Sequence, residues 1–430
     1  MRVTIAGVRA WETLDSRGNP TVAAEVRLSD GATGQAQVPS GASTGRHEAA
    51  ELRDGDPRRY AGKGVRQAVR NVADVLAKEL RGADAADLPG LDRRMIALDG
   101  TADKSRLGAN ALLGVSCAAA RAVAVSLGQP LWRVLRDLHS APAGDPRLPV
   151  PMVNILSGGL HGGGNIEFQD FLAVPKAFSS MEDAVEAVSR VHRAAREVLL
   201  ESGYTLTGVA DEGGWAPHLV SNVQAVAFLT RAIERAGFEP GREISIAIDV
   251  AATHFFEDGE YRLGKEGRTM DSAAMVELLA DWCASYPVTS IEDGLAEDDW
   301  RGWTELTAAL GGRVQLVGDD LFTTNPDRLR RGIGERAANA ILIKMNQIGT
   351  LAETFEVMTI ARQAGYRLVV SARSGETEDS FLADLAVAGG ADQIKIGSLT
   401  RSERLAKYNR LLELESEGGL RYTTGPQANN

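Results

Sequence analysis

Between residues 288 and 398 the chain reads, at intervals, VTSIEDG (288–294), VQLVGDD (314–320), NAILIKMN (339–346), YRLVVSA (366–372) and DQIKIGS (392–398). Each is a short apolar run rich in branched residues, and amphipathic segments such as Leu351 to Ala364 and Phe381 to Ala388 lie between them. Apolar strands alternating with amphipathic helices are the signature of parallel βα units. Upstream, IEFQDFLAV (166–174) and ISIAIDV (244–250) continue the pattern, with helical periodicity over Val223 to Ala236 and Ala274 to Ala284. Roughly 280 residues of such alternation suit a closed barrel better than an open sheet. An open doubly wound sheet would carry a phosphate-binding fingerprint after an early strand, and neither G-x-G-x-x-G nor G-x-x-x-x-G-K-[ST] occurs.

Ahead of the barrel the pattern differs. VTIAGVRAWET and TVAAEVRLSDG (21–31) alternate with period two around the turn Ser16-Arg17-Gly18-Asn19-Pro20, which predicts paired antiparallel strands. After Ala61 the period becomes 3.6, with Val65, Val69, Val72, Leu76 and Leu80 on one stripe, and a second helix is predicted from Asn110 to Leu127. The Pro/Gly-rich stretch from Ala141 to Pro149 reads as a linker, dividing the chain into a first domain over 1–137 and the barrel over 145–430.

Asp and Glu number 58 against 47 Lys and Arg, a net charge of −11, which argues against a nucleic-acid partner. A hydrophobic content of 44% with 24% charged residues is ordinary globular usage. Cys117 and Cys283 both fall in apolar helical patterns, so neither a disulfide framework nor a zinc cluster is supported. The N-terminal apolar run is too short for a signal segment, and no later run reaches the roughly 18 uninterrupted apolar residues of a membrane span. A soluble, cytoplasmic chain without a membrane partner is expected.

Charged residues recur at the C-terminal ends of these strands: Asp249, Glu292, Asp319, Lys344 and Lys395. In a barrel those ends share one face, where catalytic groups collect. Any one alone could be a solvated strand end or an ion pair. Together, three carboxylates facing two lysines make a hard-cation site suited to Mg²⁺. Lys344, flanked by apolar neighbours, either loses proton affinity and serves as a base or is held in a salt bridge by a barrel carboxylate. Glu212 sits beside Gly213 and Gly214, where the backbone can approach a ligand closely, although an ordinary acidic turn reads the same. The glycine loop from Ser157 to Gly164 carries His161 and suggests a lid, against a purely local hydrogen bond. The stretch from Pro39 to Gly45 is a second lid or a polar hairpin connection. Arg373 and Ser374 follow a strand and suit a phosphate or carboxylate. Neither G-x-S-x-G nor H-E-x-x-H is present.

The stretches DSRGNPTV, VPSGASTG, ELRDGD, GANA, PVPMVNIL, DEGGWAP, SIEDGL, VGDDLF, IKMNQIG, RSGETED and RSERLAKYN closely resemble the enolase family, essentially end to end. The resemblance implies an N-terminal α+β domain joined to a modified (β/α)8 barrel, Mg²⁺ as cofactor at two ions per active site, and a homodimer or a larger assembly of dimers. It also implies proton abstraction next to a carboxylate to give an enolate, chemistry for which this superfamily is the type case. By motif, Lys344 resembles the base taking the C2 proton of 2-phosphoglycerate, and Glu212 the acid assisting loss of the C3 hydroxyl, with Asp170 as its partner. Asp249, Glu292 and Asp319 match ligands of the metal that grips the substrate carboxylate, Lys395 a group binding that carboxylate, and Ser43 a residue reaching a second metal. Arg373 and Ser374 match phosphate contacts, and His161 and Gln169 groups around the site.

The departures cluster. Where the family reads S-H-R-S-G-E-T-E-D this chain has Ala372 for the histidine. Ser157 and Gly162 replace Asn and Ala of N-G-G-x-H-A, and Asp170 shortens the acid of Q-E-F. The base and metal positions are unchanged. This pattern implies a specialised branch acting on a small phosphorylated or phosphonylated carboxylate, of the kind that makes carboxyphosphonoenolpyruvate in phosphinic-acid antibiotic pathways. The alternatives are phosphopyruvate hydratase and a non-catalytic surface or scaffold role. The last would not require Lys344, Glu212 and the three ligands together.

Overall fold

The two alternating stretches form the antiparallel strands Ile5–Leu14 and Pro20–Leu28, with Leu14 opposite Pro20 across the expected turn. A third strand, Thr33–Gln37, pairs on the far edge of Pro20–Leu28. Its sequence, TGQAQ, buries only Gly34 and Ala36, too little pattern to be read in advance. Gly34 lies against the helix Ala109–Leu127: a Cβ there would come within 2.2 Å of the Ala122 amide nitrogen. The predicted stripe becomes a helix over 66–80 with Val65, Val72, Leu76 and Leu80 fully buried, and it carries a π-turn at Val72–Leu76. Helix Ala109–Leu127 is long and apolar enough to cross a membrane, but 78% of that stretch is buried inside the protein, as the core of this domain. The computed structural model describes residues 2–41, 45–139 and 146–422, so most of the expected linker and Ser43 lie outside the described residues.

Eight strands close a barrel in the order Val150–Ser157, Asp170–Pro175, Ile244–Asp249, Val288–Glu292, Gln315–Gly318, Ala340–Ile343, Arg367–Ser371 and Gln393–Gly397. The expectation of uniformly parallel units needs two corrections. The first strand, Val150–Ser157, was not marked by periodicity, because all of its residues are buried and no alternation shows. The second begins at Asp170, not Ile166, and runs antiparallel to both neighbours. An antiparallel return needs no crossover helix, so the chain folds straight back through residues 158–169. Two helices, Met181–Glu201 and Asn222–Arg235, then follow before the third strand. Reversal places Asp170 opposite both Ser157 and Asp249, on the face where the other strands end.

The first domain covers that face. Arg121 grips Asp379 with two bonds of 2.7 Å, and Lys104 pairs with Glu353 at 2.8 Å. Asp92 and Ser116 accept the Ala352 and Leu351 amides at 2.8 and 3.2 Å, docking on the N-terminus of helix Leu351–Gln363. Glu48 reaches into the site itself.

Candidate active site

The strand ends bring Asp249, Glu292, Asp319, Lys344 and Lys395 together as expected, all buried except the half-buried Lys344. Lys395 Nζ donates to Asp249 Oδ2 at 2.7 Å and to both Glu292 oxygens at 2.8 and 2.7 Å. Lys344 Nζ pairs with Asp319 Oδ2, and Gln347 Nε2 donates to Asp319 Oδ1 at 2.9 Å. Of the two readings, the salt bridge to a barrel carboxylate is the one this arrangement shows for Lys344. Burial lowers its pKa, but the Asp319 carboxylate more than offsets that, and the net shift is upward.

The loop after each ligand strand is held in an unusual backbone conformation: Ala251, Asp293, Thr323 and Thr324 all have φ between 43° and 50°. Such residues cost about 1–3 kcal/mol each and persist where surrounding structure fixes them. Asp293 shows the reason. Its carboxylate accepts the Asp319 amide at 3.0 Å and the Asp320 amide at 2.8 Å, fixing the turn that presents Asp319.

The second cluster is built on the reversed strand. His161 Nδ1 lies 2.7 Å from Asp170 Oδ2, and its Nε2 lies 3.9 Å from Glu212 Oε1. Asp170 is fully buried and its other oxygen accepts from Asn154 and from Ser157 Oγ, the latter at 3.0 Å. The two shortened side chains, Ser157 and Asp170, thus close on each other. Asp170 reaches the cavity only through His161, and is a positioning residue for it. Burial lowers the His161 pKa, but Asp170 and Glu212 more than offset this and hold the imidazole up to about 9. For Glu212, burial raises the pKa, whereas His161, then Arg404 and the two lysines, bring it below the usual carboxylate range. The pair thus favours a charged carboxylate on Glu212 and a protonated imidazole on His161. The glycine loop is held by its own backbone in this conformation: the Gly158, Gly159 and Gly162 amides donate to Gln169, Ile166 and Gly158 carbonyls at 2.7, 2.9 and 2.6 Å, and His161 is 9% exposed.

On the opposite wall Arg373 donates to Glu48 at 3.0 and 3.2 Å and to Asn346 Oδ1 at 2.9 Å. Arg404, buried at 0% exposure, donates to the Arg373 and Ser374 carbonyls at 2.6 and 2.7 Å and so sets their backbone. Ala372 lines the cavity beside them. The cavity is small, about 20 Å³. A second cavity of about 420 Å³ adjoins it across Arg373, lined by Gly45, Arg46, Glu48, Arg53 and Asn346.

The donor set fits Mg²⁺. Asp249, Glu292, Asp293, Asp319 and Asp320 crowd one wall, and two lysines do not balance them. Glu292 is raised well above the carboxylate range by burial and then Asp249, and Asp320 is raised up to about 7 by burial and then Asp319. Uncompensated, oxygen-only negative charge is what a hard divalent cation relieves. Oxygens of Asp293, Asp319 and Asp320 lie within 4.8 Å of one another, as do ligand atoms of His161, Asp170 and Glu212.

Asp293, Asp320, Glu48, Asn154, Arg404 and the cavity-lining His254 were not singled out from sequence. Asp293 and Asp320 each adjoin a marked acid, in SIEDG and VGDD, so the doubled carboxylate was the available signal. Gln169 is placed as expected, with Nε2 at 3.2 Å from Asp249 Oδ2 and its Oε1 buried without a partner among the described residues.

Comparison with protein families returns two matches that together span nearly the whole chain. The model described as enolase, N-terminal domain, matches residues 5–135, and that described as enolase, C-terminal TIM barrel domain, matches residues 145–424.

Proposed function

Because the chain belongs to the enolase family, we propose that it is a Mg²⁺-dependent enzyme acting on 2-phosphoglycerate or phosphoenolpyruvate through an enolate, specialised to make carboxyphosphonoenolpyruvate. Asp249, Glu292 and Asp319 would hold one Mg²⁺, with Ser43 directed to a second, and the ions would supply charge stabilisation for the enolate. The chain's own groups divide the remaining work. Arg373 and Ser374 hold the phosphate end, and Lys395 the substrate carboxylate. Lys344 takes the C2 proton once Asp319 no longer engages it. Glu212 delivers a proton toward the C3 hydroxyl, drawn from the imidazolium of His161 that Asp170 orients. The substrate is small and anionic, and a homodimer is part of the same proposal, tested by sedimentation velocity.

The observation carrying the specialised reading is Ala372: a methyl group forms the cavity wall beside Arg373, where the family places an imidazole. The adjoining 420 Å³ cavity supports it by offering room for a larger phosphonyl donor. The alternative, ordinary phosphopyruvate hydratase, is favoured by the intact pairing of Lys344 with Asp319 and of His161 with Glu212. The experiment follows phosphorus NMR of 2-phosphoglycerate with Mg²⁺, alone and with phosphonoformate, free or nucleotide-activated. Slow dehydration to phosphoenolpyruvate without the donor, and a donor-dependent carboxyphosphono product with it, are expected, the loss in dehydration rate being about 10² to 10⁴ for a missing orienting group. Ala372→His should speed dehydration and hinder the bulkier donor. Dehydration at ordinary enolase rates without a donor-dependent product leaves the hydratase reading standing alone.

A further inference from the structure

In the turn that follows the strand Gln315–Gly318, Thr324 holds a positive φ of 50° and is fully buried. A left-handed backbone is ordinarily given to glycine, and a β-branched side chain is a poor fit to it. A strained conformation that the fold keeps points to what its side chain does there. Thr324 Oγ1 accepts the Lys344 amide N–H at 2.9 Å and donates to Gln347 Oε1 at 2.8 Å, the shorter of the two bonds open to its proton, the other being the Leu342 carbonyl at 3.4 Å. Glycine would satisfy the backbone and supply neither bond.

Gln347 continues the chain of bonds. It is 1% exposed, and its Nε2 donates to Asp319 Oδ1 at 2.9 Å and to Glu48 Oε1 at 3.3 Å. An ionised carboxylate only accepts, so the amide nitrogen must face Asp319 and the amide oxygen must face the threonine hydroxyl. Hydroxyl, amide and carboxylate therefore orient one another in series. Among the described residues, Gln347 and Lys344 are the side chains that bond to the Asp319 carboxylate, one at each oxygen. When Lys344 leaves to act as a base, Gln347 is the group that still orients it.

We propose that Gln347 and Thr324 are positioning residues for the cation ligand Asp319: the Thr324 hydroxyl sets the Gln347 amide, and the amide holds the carboxylate ready for Mg²⁺. This rests on the reading of Asp319 as a Mg²⁺ ligand. Groups that orient a metal ligand from behind are worth about 10- to 100-fold in metal affinity.

The test is calorimetric titration of the full chain with MgCl₂, substrate absent, beside metal-free melting curves. Gln347→Met, which keeps the length of the side chain and loses its hydrogen bonds, should bind Mg²⁺ about 10- to 100-fold more weakly than the parent. Thr324→Val, which keeps the branched shape and loses the hydroxyl, should weaken binding about tenfold or more, and Thr324→Ser should recover it. Because the hydroxyl acts through the amide, adding Thr324→Val to Gln347→Met should weaken Mg²⁺ binding no further. Either single variant decides the question if the other does not fold. A lowered metal-free Tm with unchanged Mg²⁺ affinity would show a merely structural role and overturn the proposal, and losses that multiply in the double variant would break the series. Asp319→Asn separates the two levels. A parent that binds no Mg²⁺, or an Asp319→Asn variant that binds it as well as the parent, removes the reading of Asp319 and this inference with it. Binding that needs Asp319 but neither Gln347 nor Thr324 overturns the inference alone.

Discussion

Lys344 and Glu212 line one small cavity and have different partners: Lys344 is paired with Asp319, and Glu212 faces His161. Lys344→Ala should abolish exchange of the substrate C2 proton with solvent, whereas Glu212→Gln should retain that exchange and block the later step; deuterium incorporation followed by proton NMR distinguishes them. Exchange lost in Glu212→Gln and kept in Lys344→Ala would reverse the roles. These two residues were legible because a charge ending an apolar strand, or flanked by glycines, stands out in the sequence. Asp170 was legible only through the family's motif, and its burial behind His161 was not, because no spacing rule says that a strand has turned round. Glu48 and Arg404 act on the site from a loop of the first domain and from the helix Ser402–Ser416, where the sequence around them is ordinary.

At the level of elements, the loop joining the first two strands is shaped by Gly162. A Cβ there would lie 2.5 Å from Asn165 Oδ1, 2.7 Å from the Ser157 carbonyl and 2.9 Å from the Gly158 Cα. Gly162→Ala, though it restores the family's usual residue, should therefore cost about 1–3 kcal/mol by overpacking, and it should displace His161. Denaturant melts should show the loss, with kcat falling more than KM rises. Ala in place of Gly without effect on either would mean that the loop yields easily.

The contact of Asp92 with helix Leu351–Gln363 makes a pH prediction. Burial raises this carboxyl to about 7, against the Ala352 amide and Ser116, which lower it. With the folded value above the unfolded one, the stability from the neutral form is fully present below about pH 4 and is lost as pH rises through about 7. Asp92→Asn should thus gain on the parent progressively between those limits and hold the gain above them. A tenfold change in proton affinity corresponds to about 1.4 kcal/mol, reduced here because a helix N-terminus favours the charged form. Melting curves at pH 4, 6 and 8 read the trend, and a pH-independent difference would contradict it. The helix was legible from its period. Its capping by another domain was not, since Asp92 and Ala352 are far apart in the chain and no local pattern links them.

For the whole molecule, the crowded acidic wall predicts stabilisation by Mg²⁺. A ligand that binds only the folded chain stabilises by about 2.7 kcal/mol at a hundredfold excess over its Kd. Tm should rise with Mg²⁺ and fall back with EDTA, and Asp319→Asn should remove the rise while keeping the fold by circular dichroism. A Tm indifferent to the ion, with 2-phosphoglycerate present, would count against the catalytic reading. The barrel itself followed from strands separated by helical stretches. Its one reversed strand did not, because a fully buried strand has the same composition whichever way it runs.

That reversal also bears on the order in which the molecule assembles. Parallel neighbours must wait for a crossover to close, and pairings between segments far apart in the chain slow folding. The first and second strands instead meet across a single short connection, like an oversized hairpin, and the ring later closes when Gln393–Gly397 pairs with Val150–Ser157 from the far end of the chain. Pulse-labelled hydrogen exchange should protect amides of 150–157 and 170–175 before those of 393–397. On that schedule the two strands that carry the His161 bend pair early, and the rest of the barrel is gathered around them.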